Sequence, residues 1–147
     1  MSTIVIKNKR MKMRRLHIAR EGSAAIEFAI VGPVMILLLM GMVVYGGWFW
    51  LAQSVQSLAT ESARAAMGGL DGAERERLAR DFITAEARDG AGLDPAALVV
   101  SVSSDSTAIR VQVAFDVSHH PLMAMAAVLP PPPSIIRRTA VVRIGGY

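Results

Sequence analysis

Glu27 is the residue whose placement first raises a question of chemistry. It is the last charge before Phe28–Ala52, a run of twenty-five residues without Asp, Glu, Lys or Arg. An acid at the centre of a spanning helix costs about 2.5–3.5 kcal/mol, and less near an interface. Glu27 therefore either reaches lipid headgroups or needs a partner. Gly22, five residues earlier, is the last small residue before the chain turns apolar. A cut after Gly22 would leave Ser23 as a new N-terminus whose positive α-amine lies one helical turn from the Glu27 carboxylate. In staggered neighbours the amine of one subunit would neutralise Glu27 of the next. A buried charge that is tolerable only beside a partner rewards assembly and penalises wrong register.

Other constellations carry less. His119-His120 is the only histidine cluster outside the basic head. It has no Cys or spaced acid beside it, so a solvated loop is expected and not a metal site. Gly68-Gly69-x-x-Gly72 and Gly90-Ala-Gly92 do not follow strands as a phosphate loop requires, and no nucleophile elbow surrounds the serines. Pro130–Pro133 reads as a stiff spacer. No catalytic, cofactor-binding or metal-ligating residues are expected, and the chain is read as a non-enzyme without a cofactor.

The elements that must position Gly22 and Glu27 follow from where charge and apolar residues sit. Of 147 residues, 52% are hydrophobic and only 19% charged, which excludes disorder as a whole-chain description. The pI near 10.1 would ordinarily point to nucleic acid. The first 21 residues, however, hold Lys7, Lys9, Arg10, Lys12, Arg14, Arg15 and Arg20 against Glu21 alone, a net +6, while the remainder carries nine Arg against eleven acids, a net −2. The basicity belongs to a head, not to a folded surface, so no nucleic-acid partner is expected. Loss of that head would leave a slightly acidic protein.

Phe28–Ala52 as a helix would be about 37 Å long at about 1.5 Å per residue, enough to cross a core about 30 Å thick with some tilt. The run is too long for the apolar core of a cleavable signal peptide, and the rest of the chain is too short and polar to bury it. Positive charge on the N-terminal side places the N-terminus in the cytoplasm, and Tyr45, Trp48 and Trp50 cluster where an outer aromatic belt belongs. The expectation is a single-pass protein of the inner membrane with its C-terminal part periplasmic. The helix should continue to Met67, with Val55, Leu58, Ala59, Ser62, Ala63, Ala66 and Met67 on one face, packing on another helix or on its own domain. Pro33 removes the bond to the Ala29 carbonyl and should kink or loosen the helix.

Gly68 to Gly72 should stop that helix. A second, amphipathic helix is predicted over Ala73–Arg88, ending near Gly90, carrying Leu78, Phe82, Ile83 and Ala85–Ala87 among alternating acids and arginines. Alternation then predicts strands over Leu98–Ser103, Thr107–Val117 and Ile135–Ile144, the first two joined by the turn Ser103–Ser106. Leu122–Leu129 is either core or an exposed patch for a partner or the membrane surface. The expected architecture is α+β: a basic leader (1–22), a transmembrane and projecting helix (23–67), and an outer domain (68–147) of one helix and a three-stranded antiparallel sheet. With no cysteine, that domain has no disulfide to stabilise it.

Gly22-Ser-Ala-Ala-Ile-Glu27-Phe28 resembles the prepilin processing site of type IV pilins: a glycine, four residues, then Glu followed by an aromatic. The wider stretch from Arg20 to Pro33, the Leu/Met run and Gln53–Ala66 is similar to the TadE-like family, minor pilins (pseudopilins) of the tight-adherence, Flp-type pilus system. The resemblance covers about residues 15–67. It implies cleavage by a prepilin peptidase between Gly22 and Ser23, and other pilins, pseudopilins and the pilus assembly machinery as partners beside the lipid bilayer. The alternative is an unprocessed single-pass envelope protein whose outer domain binds a partner or ligand.

Overall fold

The computed structural model describes the backbone of residues 3–89 and 93–144 and, within those ranges, the side chains from Ser23 onward except those of residues 88 and 89. The chain forms two compact units, Met1–Met40 and Gly41–Tyr147. Helix α1 (Thr3–Ala65) contributes to both. It is rich in Leu, Met and Ala, which lose little rotamer freedom in a helix, and its helical assignment runs unbroken through Pro33.

In the first unit the described side chains from Ser23 to Leu39 are exposed apart from half-buried Gly32. In the second, α1 buries a stripe. Val44, Leu51, Ala52, Val55, Leu58, Ala59, Ser62, Ala63 and Ala66 are all buried, at the alternating three- and four-residue spacing of one helix face. The only polar member, Ser62, donates its hydroxyl to the Ala59 carbonyl at 3.0 Å and so brings no unsatisfied group into the core. Of the face expected from sequence, Met67 is the exception at 55% exposed. The α-helix gives way at Ala66–Gly68 to a 3-10 turn, whose tighter winding rotates Met67 off the stripe.

The turn is closed by side chains of the next helix, α2 (Gly72–Asp89). Asp71 accepts from the Glu74 N–H at 2.8 Å, and Glu74 reaches back to the Leu70 N–H at 2.8 Å, a reciprocal cap on free helix donors. Arg75 donates to the Gly69 carbonyl and to the Ser104 hydroxyl, each at 3.1 Å. A Cβ on Gly69 would stand 2.7 Å from the Arg75 nitrogen, so glycine is needed where the chain doubles back. Helix α2 buries Ala79, Ile83 and Ala87, with Leu78 and Phe82 half-buried; Ala85 is exposed. Gly90-Ala-Gly92 lies outside the described residues.

Strands β1 (Leu98–Ser104), β2 (Ala108–Asp116) and β3 (Ile135–Arg143) form an antiparallel sheet in the order β1-β2-β3. The fold is therefore the α+β one expected, with β2 in the centre. Its residues alternate: Ile109, Val111, Val113 and Phe115 are buried while Arg110 and Gln112 point outward. Register sets Val100 opposite Val113 and Val102 opposite Val111, and on the other side Ile136 opposite Phe115 and Ala140 opposite Val111. The inner face of the sheet, the α1 stripe and α2 form one hydrophobic core, which Leu93 and Val117 complete.

The β1–β2 connection is displaced from Ser103–Ser106 to the residues around Asp105. The Asp105 carboxylate accepts from the Thr107 N–H, the Thr107 hydroxyl and the Ala108 N–H, each at 2.7 Å, a turn that aspartate closes by replacing backbone acceptors. The Thr107 hydroxyl first, then the backbone donors, hold the carboxyl below its ordinary value. A group with a depressed folded pKa adds stability above its unfolded value, about 3.9, and loses it as pH falls through the folded one. Thermal unfolding followed by circular dichroism should show Asp105→Asn lowering Tm at neutral pH, with the gap to wild type closing below about pH 4. Ala59→Leu, which puts three carbons into a fully buried site, should destabilise by about 1–3 kcal/mol, whereas the same change at exposed Ala24 should leave unfolding of the second unit unaltered.

Candidate processing and assembly segment

The candidate cleavage position lies within a helix: Gly22, Ser23, Glu27, Phe28 and Pro33 all belong to α1. Helical geometry brings Ser23 and Glu27 onto one face, one turn apart. The Ser23 hydroxyl donates to Glu27 Oε1 at 3.4 Å, so the carboxylate already faces the residue whose amine a cut would create. Phe28 is 77% exposed. Its ring passes over the next turn, where a Cβ on Gly32 would make ordinary contact with it at 3.8 Å. Pro33 is exposed on the same helix.

Beyond Phe28 the helix presents Ile30, Val31, Val34, Met35, Ile36 and Leu37–Leu39, all more than two-fifths exposed. The segment Ser23–Gly68 contains an 18-residue window of mean hydropathy 2.4 of which only 6% is buried, long and apolar enough to cross a membrane. Side chains of this kind in contact with water lose the whole of their transfer free energy, about 25 cal/mol per Å². Lipid or other helices must cover them.

The far end of the apolar run has a different environment. The last twelve residues of the run, 41–52, belong to the second unit. There Val44, Leu51 and Ala52 are buried. Two aromatic side chains tie the helix there to the polyproline stretch. The Tyr45 hydroxyl donates to the Pro130 carbonyl at 2.6 Å, and Trp48 Nε1–H to the Pro133 carbonyl at 3.0 Å. Trp48 also meets Phe49 edge to face, at 5.5 Å between centroids. Sequence placed Tyr45 and Trp48 in a belt but missed these bonds, because their acceptors lie eighty-five residues away.

Neither histidine stands among acids. His119 is exposed, while His120 Nδ1 accepts from the Leu122 N–H at 3.3 Å and caps the short helix α3 (Pro121–Met125). Among the described residues no group of three or more His, Asp or Glu is placed to hold a metal ion. An open groove of about 230 Å³ between α1 and α2 is lined by Trp50, Gln53, Ser54, Ser57, Leu58, Glu61 and Glu86. Trp48→Phe keeps a smaller aromatic ring and removes the indole donor. It should lower the stability of the second unit by about 0.5–1.5 kcal/mol, read as a shift in the denaturant midpoint of tryptophan fluorescence from the remaining Trp50.

Residues 22–64 match the family model described as TadE-like protein. No curated protein and no solved structure matches the chain. The match opens at Gly22 and ends near the last turn of α1, so it takes in the Ser23–Glu27 pair, the exposed apolar run and most of the stripe beneath the sheet. Over residues 22–64, less than a third of its length, this chain is similar to the TadE-like family.

Proposed function

We propose that this protein is a minor pilin-like (pseudopilin) subunit of a tight-adherence pilus assembly or secretion apparatus, and not an enzyme. The TadE-like match supports association with that machinery. In this reading the chain sits in the inner membrane with its N-terminus cytoplasmic and its outer unit periplasmic. A prepilin peptidase removes residues 1–22, and the freed Ser23 amine pairs with Glu27 of a neighbouring subunit. The observation that carries the reading is the exposed helix around the candidate cut: Ser23 and Glu27 share a face, and the apolar side chains that follow are uncovered from Ile30 to Leu39. Such a surface suits a subunit whose helix is covered first by lipid and then by the helices of its neighbours. The +6 head opposes that second environment and would go with the cut.

Co-expression with a cognate prepilin peptidase should lower the intact mass by residues 1–22 and leave Ser23 as the first residue on N-terminal sequencing. An unshifted mass refutes processing and leaves the unprocessed, membrane-anchored envelope protein. Glu27→Ala should insert normally into membranes but assemble poorly, scored as the fraction co-purifying with partner subunits. Normal assembly of that variant would exclude the amine–carboxylate pairing.

A further inference from the structure

The connection from β2 to β3, residues 117–134, contains no Asp, Glu, Lys or Arg. It carries α3 and a 3-10 turn at Ala126–Val128, and it is fastened to α1 at one level. Leu122 occupies the space that a Cβ on Gly47 would need, while Tyr45 and Trp48 hold the carbonyls of Pro130 and Pro133. Ala126 is buried, and Leu122 and Met123 are half-buried. Met125 and Val128, at 45% and 65% exposure, point away from the core. On α1 at the same level Phe49 and Trp50 are also exposed, at 65% and 59%.

This level lies at the C-terminal end of the uncharged run Phe28–Ala52, where a spanning segment of that length meets the outer edge of a hydrocarbon core. Aromatic and uncharged apolar groups gather at that boundary, and a short amphipathic segment there buries its apolar side among headgroups and upper acyl chains. We infer that Pro121–Leu129 is a membrane-surface foot, with Met125 and Val128 entering the outer leaflet beside the Tyr45–Trp50 aromatic cluster. The occupant of this face is lipid. The absence of charge from residue 117 to residue 134 favours it, as does continuity with the helix that crosses the bilayer. The foot gives the outer unit a second attachment and fixes its height above the membrane. The inference rests on α1 being a membrane span, but not on cleavage after Gly22.

Because the chain has no cysteine, single cysteines carrying an environment-sensitive fluorophore report one site each. The full-length chain is reconstituted in phosphatidylethanolamine/phosphatidylglycerol vesicles with labels at Val128→Cys, Met125→Cys, Ser101→Cys on the exposed sheet face, and Leu38→Cys within the span. Equal circular dichroism establishes that each variant is folded. The labels at 125 and 128 should emit to the blue of the one at 101. Lipids with shallow acyl-chain quenchers should quench them several-fold more strongly than 101, and aqueous iodide several-fold less. If 125 and 128 respond like 101, the foot is overturned while a lipid-quenched label at 38 keeps the span. If they are shielded from iodide but not quenched by lipid, and only at high protein-to-lipid ratio, a second protein is the occupant and the lipid assignment fails. A label at 38 that lipid does not quench removes the span and the foot with it.

Discussion

The second unit depends on burial of one stripe of α1, running from Leu51 to Ala66. The sheet presents Ile109, Val111, Val113 and Phe115 on one face, and a three-stranded sheet is stable only when such a face is covered by a second layer. Helix α2 supplies part of that layer through Ala79 and Ile83, and α1 supplies the rest. The small residues Ala59, Ser62, Ala63 and Ala66 let the helix backbone approach closely, while Leu51, Val55 and Leu58 fill the volume between. With no cysteine to crosslink it, the unit relies on this packing, and a native domain is stable by only about 5–15 kcal/mol. Separating α1 from the sheet would therefore unfold the second unit.

That dependence gives one helix two environments in succession. Residues from Phe28 onward require lipid or neighbouring helices, and residues from Leu51 onward are covered by the unit's own sheet and α2. The change falls within a run that hydropathy reads as continuous. Leucine in a bilayer and leucine in a protein core are equally apolar, so Leu37 and Leu51 look alike until a partner is found for one of them. The hydrogen bonds of Tyr45 and Trp48 to the proline-rich stretch mark the changeover. They also satisfy two polar groups that would otherwise be costly near lipid.

The candidate assembly site has the opposite character, since it is almost wholly local. Ser23 faces Glu27 because they are four residues apart on a helix, and no other part of the chain takes part. Its geometry was legible without coordinates for that reason. The same holds for the alternation of β2, where period two separates Ile109 and Val111 from Arg110 and Gln112. What sequence misjudged was also local but finer. Met67 leaves its face because the last turn tightens, and Ala85 is exposed while Ala87, two residues on, is buried.

Residue order alone determined the charged head, the apolar run, the spacing from Gly22 to Glu27, and the order of the two long helices and three strands, but not the short helix α3. Each of these depends on neighbours within a few residues, or on hydrophobic periodicity, and that information is written along the chain. Tertiary structure decided which partner the α1 stripe meets, where the apolar run passes into the second unit's core, and which side of Leu122–Leu129 is buried. These were settled by packing between segments far apart in sequence: Gly47 against Leu122, Trp48 against Pro133, and the stripe against β2. A side chain's hydrophobicity states that it must be covered. Only the assembled fold states by what.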